Sequence, residues 1–149
     1  MSAYRILVPT DFSSCSDSAL SFAIALANGT EHSHICLLHV VEASVPSYDE
    51  NLGVLEPEAL RTQMQMLSAS RKTDVAMETK IVHGDPRKKI VATAKQLDID
   101  LIVMGTHGRS GLAQFIMGST AEAVLGNASC PVMTVRDNSV VPARHIETQ

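Results

Sequence analysis

The chain has 149 residues, of which 45% are hydrophobic and 19% charged, and its formal net charge is −4 at pH 7. This length favours a single domain that buries about two-thirds of the surface of its unfolded chain. The negative charge, the absence of a basic cluster and the lack of any apolar run of ~18 residues argue against nucleic-acid and membrane partners.

Apolar runs alternate with helical patterns along the chain. The five predicted strands cover residues 4–8, 33–41, 75–82, 100–104 and 130–135. Pro9 ends the first strand because proline cannot donate to a ladder. Such alternation is typical of an α/β fold in which an open parallel sheet carries helices on both faces. Residues 42–56 lose the pattern and are predicted to be a long loop, a feature often found in lids and binding segments.

The helices carry recognisable start and stop residues. Capping oxygens at residues 10–13 precede the first helix, whose core face is predicted to be Ala19, Phe22, Ala23 and Leu26. Gly29 is its predicted end. Residues 83–86 predict a turn that leads into the third helix, with an aspartate cap and a proline at the first helical position.

The three cysteines, Cys15, Cys36 and Cys130, are an odd number without C-x2-C spacing. Their apolar neighbours predict reduced core thiols. Because unpaired cysteines are typical of reducing compartments, we expect a cytoplasmic protein.

The most informative stretch is residues 104–120, which joins a buried strand to a helix. It contains Gly105, Gly108, Gly111 and Gly118, followed by Ser119 and Thr120. Glycines let backbone N–H groups approach a ligand, and a helix N-terminus favours an anion, so the stretch predicts a phosphate site. A Walker A loop is excluded because no lysine precedes the hydroxyl residue, and the G-x-G-x-x-G spacing is absent. A surface loop with incidental glycines is the alternative.

The spacing G-x2-G-x9-G-S/T, at Gly105, Gly108, Gly118 and Ser119, resembles the nucleotide-binding subgroup of the universal stress protein family. The resemblance implies one domain over residues 1–136, and the polar composition of residues 137–149 predicts a tail. The resemblance also implies a five-stranded Rossmann-like sheet of order 3-2-1-4-5, of the adenine nucleotide alpha hydrolase-like kind. Ligands of open α/β sheets bind where the strand order reverses, here between strands one and four.

Backbone N–H groups of Gly108, Gly118, Ser119 and Thr120, with the Ser119 hydroxyl, are predicted to hold phosphates. Arg109 is either a further phosphate contact or a solvated loop residue.

Met104 and Gly105 are predicted to lie against the ribose, and His107 either contacts the ligand or makes a local hydrogen bond. The resemblance implies that Asp11 contacts the ribose or phosphates and that the backbone of Val40 contacts adenine; a helix cap is the alternative for Asp11. The complete predicted site is Pro9, Thr10, Asp11, Val40, Met104, Gly105, His107, Gly108, Arg109, Gly118, Ser119 and Thr120.

The resemblance implies a stress-response module that binds ATP, or ADP or AMP, with or without Mg²⁺. Rapid phosphoryl transfer needs a cationic clamp and metal ligands, which the stretch lacks, so at most very slow ATP hydrolysis is expected. An ATP-hydrolysing or adenylyl-transferring enzyme on the same scaffold is the alternative, and a dimerisation module with an empty cleft is the third. The apolar edge strand containing Val132, Met133 and Val135 is consistent with the homodimer that the resemblance implies.

Overall fold

A computed structural model of the chain describes residues 3–42, 56–107 and 117–137. Strands and helices alternate through them as β1 (Arg5–Pro9), α1 (Ser14–Asn28), β2 (His34–Val41), α2 (Glu56–Ala69), β3 (Ala76–His83), α3 (Pro86–Gln96), β4 (Leu101–Gly105), α4 (Ser119–Asn127) and β5 (Val132–Val135). All five predicted strands are confirmed, with bounds within two residues. Three segments lie outside the described residues. They are residues 43–55, which make up most of the predicted long loop, residues 108–116 of the glycine stretch, and the tail from residue 138.

The strands form one sheet of order β3-β2-β1-β4-β5, and every neighbouring pair is parallel. This confirms the predicted fold. The three central strands are almost entirely apolar because helices cover both of their faces. Chain order reverses between β1 and β4, where Ile6 lies opposite Leu101. The carboxyl ends of these two strands therefore flank the predicted ligand position.

Two aliphatic cores fill the space between the sheet and its helices. On one face Ile6, Leu20 and Met64 join β1 to α1 and α2. On the other face Ile90 and Val124 bring α3 and α4 onto the sheet. In the described parts of the chain, no helix combines the length and apolarity that crossing a membrane requires.

The predicted core face of α1 is partly wrong. Ala19 and Ala23 are buried, but Phe22 is 45% exposed and Leu26 is 37% exposed. Small residues at 19, 23 and 27 let α1 lie close to the sheet, and Phe22 and Leu26 fall on the outer side of the helix. Helical periodicity predicted that α1 is amphipathic, but not which flank of its apolar stripe faces the sheet.

The predicted helix ends are confirmed where local chemistry dictates them. The Asp85 side chain accepts from the Arg87 N–H, and Pro86 occupies the first helical position of α3. Gly84 precedes this cap with φ of +142°, a conformation that favours glycine. Gly29 caps α1 at its C-terminus.

The three cysteines are free thiols, as predicted; Cys15 and Cys36 lie in the core, but Cys130 is only partly buried. Cys36 lies on β2, between β1 and β3, and its side chain is buried. Loss of solvation raises the pKa of its thiol to about 11, and the charge of Glu78 makes a smaller contribution in the same direction. Burial also raises the pKa of the Cys130 thiol. The folded chain therefore holds Cys36 as the neutral thiol at physiological pH.

The raised pKa of Cys36 predicts a loss of stability at alkaline pH. In the unfolded chain this thiol ionises near pH 9, but in the folded chain only near pH 11, so the stabilisation present below pH 9 is lost as the pH rises to about 11. Urea unfolding measured from about pH 8 to pH 11 should show a steeper decline for the wild type than for Cys36→Ala. Equal declines would show that ionisation of Cys36 does not contribute.

Candidate functional site

The loop between β1 and α1 begins at the carboxyl edge of the sheet. The Thr10 N–H donates to the Leu38 carbonyl at 2.7 Å, which extends the β1–β2 pairing by one residue. The Thr10 hydroxyl accepts from the Phe12 N–H at 3.0 Å. Phe12 has φ of +67°, a left-handed conformation that costs a bulky residue about 1–2 kcal/mol. Such strain is common at functional loops, where surrounding contacts maintain it.

Asp11 lies in this loop, and Ser13 rather than Asp11 caps α1. The Ser13 side chain accepts from the Ser16 N–H, as an N-cap does. The Asp11 Oδ1 atom accepts from the Ser13 N–H at 3.0 Å, and the Ser16 hydroxyl lies 3.2 Å from the same oxygen. Among the described residues, Asp11 Oδ2 has no hydrogen-bond partner. The carboxylate is therefore oriented through one oxygen, and the other remains for a ligand.

Gly105 ends β4 in direct contact with α1. A Cβ atom built on Gly105 would lie 2.7 Å from Cys15 Sγ and 3.0 Å from the Cys15 backbone carbonyl carbon. The neighbouring Met104 is 5% exposed, and its side chain packs in the core formed with α3 and α4. Close packing between β4 and α1 thus accounts for the glycine at position 105, and ribose contact by either residue stays a prediction.

The N-terminus of α4 lies beside the end of β4. The Gly118 N–H donates to the Thr106 carbonyl at 2.7 Å, and the first bond of the helix runs from the Glu122 N–H to the Gly118 carbonyl. The Gly118 N–H therefore already has an intramolecular acceptor, and its predicted contact with phosphate stays a prediction. The N–H groups of Ser119, Thr120 and Ala121, in the first turn, have no acceptor within the helix. These three donors and the helix dipole favour an anion at this point.

The carboxyl end of β2 contributes Val40 and His39. Val40 is 9% exposed, and its side chain packs in the core with α3 and α4, so only its backbone is available to a ligand. The His39 Nδ1 atom lies 2.8 Å from the Thr10 carbonyl oxygen, and its ring centroid lies 4.8 Å from that of Phe12. Because a carbonyl only accepts, Nδ1 carries the proton.

Sequence reasoning overlooked His39 and Ser16 as parts of this site. His39 is a polar residue inside an apolar strand, which was a usable signal. Ser16 follows the Ser13 cap at the three-residue spacing of a capping box, although a serine replaces the usual acidic residue or amide.

The predicted residues that are described belong to one edge of the sheet. Thr106 follows β4 and donates its N–H to the Val135 carbonyl of β5, while its own carbonyl accepts from Gly118 at the start of α4. Its hydroxyl lies 2.9 Å from His107 Nδ1. The residues at or next to this edge are Pro9, Thr10, Asp11, Val40, Met104, Gly105, His107, Gly118, Ser119 and Thr120. Gly108 and Arg109 lie outside the described residues, and their predicted phosphate contacts stay predictions.

Known proteins are similar to this chain in both sequence and fold. A universal stress protein of Methanocaldococcus jannaschii, MJ0531, is 32% identical over 139 residues, covering 89% of this chain and 81% of the relative. The structure of MJ0577, from the same organism, has a TM-score of 0.78 at 29% identity and covers 91% of this chain and 97% of that one. A universal stress protein of Archaeoglobus fulgidus, solved in complex with dAMP, has a TM-score of 0.64 at 22% identity and covers 91% and 99%. At that identity the likeness shows the fold alone.

The sequence model of the universal stress protein family matches residues 3–136, which include all nine strands and helices and the edge just described. The chain belongs to the universal stress protein family.

Proposed function

We propose that this chain binds an adenine nucleotide, ATP in the first place, where its strand order reverses, and acts as a nucleotide-dependent regulatory module. One observation carries the proposal: the hydrogen bond from Gly118 to Thr106 fixes the first turn of α4 beside the carboxyl end of β4. The N–H donors of Ser119, Thr120 and Ala121 suit phosphate oxygens.

The donor set around that turn fits the rest of a nucleotide. Asp11, with one oxygen held by Ser13 and the other without a described partner, suits a ribose hydroxyl or the hydration shell of a Mg²⁺ ion that phosphates hold. The backbone of Val40, at the end of β2, suits the edge of a base. The Archaeoglobus protein, solved in complex with dAMP, shows that this fold can hold an adenine nucleotide.

Isothermal titration of the full chain with ATP, ADP, AMP and GTP, with and without Mg²⁺, tests the proposal. The expected result is saturable binding of at least one adenine nucleotide that is tighter than binding of GTP. Failure of a folded chain to bind any of the three adenine nucleotides would overturn the proposal and favour a dimerisation module with an empty cleft. Phosphate release measured on the same samples separates a binder from an ATP-hydrolysing enzyme; release that Asp11→Asn abolishes would favour the enzyme.

We further propose that two copies pair through the open edge of β5. The Ile102 N–H donates to the Pro131 carbonyl and the Thr106 N–H to the Val135 carbonyl, so alternate residues of β5 face β4. Val132 and Thr134 therefore direct their backbone groups toward the open edge. The side chain of Val135 is 8% exposed, because it packs in the core of its own protomer. Since that side chain cannot reach a second copy, backbone pairing is the basis of the proposed contact.

Thr134→Pro should weaken this dimer while leaving the fold intact. Proline removes the Thr134 N–H, which faces away from β4, and proline is tolerated at edge positions of this kind. Sedimentation velocity over a concentration series should show at least a roughly tenfold weaker self-association. Thr134→Ala, which keeps the N–H, is the control and should behave as the wild type. Equal self-association of the proline variant would exclude this edge as the interface.

A further inference from the structure

The pairing between β1 and β2 ends one step earlier than the strands permit. Their register runs from Arg5 opposite His34 to Pro9 opposite Leu38, and the Thr10 N–H adds a bond to the Leu38 carbonyl. In a parallel ladder the next bond would join the Val40 N–H to the Thr10 carbonyl. In the described part of the chain this bond is not made.

The side chain of His39 occupies the acceptor that Val40 would use. His39 Nδ1–H donates to the Thr10 carbonyl at 2.8 Å. The imidazole packs against the ring of Phe12, whose backbone is left-handed, with the ring centroids 4.8 Å apart. The Thr10 carbonyl thus accepts from a side chain, although the backbone N–H of Val40 is in register to donate to it.

We propose that His39 is a positioning residue: by taking the Thr10 carbonyl, it keeps the backbone N–H of Val40 from pairing with β1 and leaves it for the edge of a base. The Val40 carbonyl would pair with the Phe12 N–H in the same ladder, but that N–H donates to the Thr10 hydroxyl instead, so among the described residues neither backbone group of Val40 pairs with the β1 chain. Within β2 the backbone groups of Val41 face β3, since the Gly84 N–H donates to the Val41 carbonyl, so those of Val40 face β1. A donor and an acceptor side by side match the edge of adenine, where a ring nitrogen accepts and the exocyclic amine donates.

The same hydrogen bond couples the base position to Asp11. Thr10 precedes Asp11, so the bond from His39 to the Thr10 carbonyl restrains the peptide unit that leads directly into the aspartate. One imidazole thereby restrains both the proposed base contact at Val40 and the proposed ribose contact at Asp11. The role of His39 in nucleotide binding rests on the proposed function. Its effect on the pairing of the Val40 N–H can be tested without a ligand.

The ligand-free test is amide hydrogen exchange by NMR on the wild type, His39→Leu and His39→Asn. Asparagine places an N–H donor near the position of Nδ1, whereas leucine has a similar shape and no donor. In the wild type and in His39→Asn, the Val40 amide should exchange at least roughly tenfold faster than that of Cys36, inside the ladder. In His39→Leu the Thr10 carbonyl loses its partner, and the Val40 N–H should pair with it and slow by about tenfold.

ATP titration of the same three proteins tests the functional part. His39→Leu should bind about tenfold more weakly, and His39→Asn within about twofold of the wild type. Equal protection of Val40 in all three proteins, or equal affinities of the leucine and asparagine variants, would overturn the role of His39. A wild type that shows the predicted exchange but does not bind ATP would overturn the proposed function and leave the Val40 result intact.

Discussion

Ser119→Glu is expected to abolish ATP binding and at the same time to raise the stability of the fold. Ser119 is exposed at the first position of α4, where the helix dipole and the N–H groups that have no acceptor within the helix favour a negative charge. A carboxylate there should stabilise the folded chain by about 0.3–1 kcal/mol. The same carboxylate would compete with phosphate for those N–H donors and repel it, which should weaken ATP binding by about 100-fold or more.

Titration calorimetry and thermal unfolding of the same preparations measure the two effects. Ser119→Gln is the matched control, because glutamine has nearly the shape of glutamate without its charge. Its affinity for ATP should lie within about tenfold of that of the wild type, a difference that loss of the Ser119 hydroxyl would explain. If Ser119→Glu binds ATP as tightly as Ser119→Gln, phosphate does not bind at the first turn of α4. If both variants unfold early, the helix end has a structural role instead.

Gly105→Ala is expected to destabilise the fold by about 1–3 kcal/mol, since the added methyl group has no room. Its carbon would lie 2.7 Å from Cys15 Sγ, and the sulfur is held by a contact of 3.3 Å to the Val135 carbonyl oxygen. The Cys15 backbone carbon, at 3.0 Å, moves only if the first turn of α1 moves.

Chemical unfolding of Gly105→Ala beside Gly126→Ala isolates the packing effect. Gly126 lies in the last turn of α4, and a Cβ there would meet nothing within 4 Å. Gly126→Ala should therefore leave the stability unchanged or raise it by up to about 1 kcal/mol, because alanine is the better helix former. Adding Cys15→Ala to Gly105→Ala should recover part of the loss. A neutral or stabilising Gly105→Ala would contradict the packing explanation.

Local chemistry made several features of the chain predictable. The Asp85 cap and Pro86 define the start of α3 through contacts only two residues apart in sequence. The apolar runs identified all five strands, because a strand covered on both faces must be apolar throughout. The glycine spacing and its resemblance to the universal stress proteins pointed to the edge at which β1, β4 and α4 meet.

Features that depend on contacts between distant residues were misread or missed. The packing of Gly105 against Cys15, ninety residues earlier in the chain, was missed. The hydrogen bond from the Gly118 N–H to the Thr106 carbonyl was also missed, because sequence spacing does not orient the segment between these two residues. Phe22 was assigned to the core, but the alanines of α1 face the sheet instead.

The alternation of strands and helices, the helix caps and the stretch that carries the proposed phosphate site could all be read from the residues alone. Each depends on residues within one or two helical turns of one another, where periodicity and capping operate. Folding is what fixes which backbone groups at the edge of the sheet lack a partner among the described residues. That outcome depends on which distant acceptors are already taken, as the Thr10 carbonyl is by His39 and the Thr106 carbonyl by Gly118.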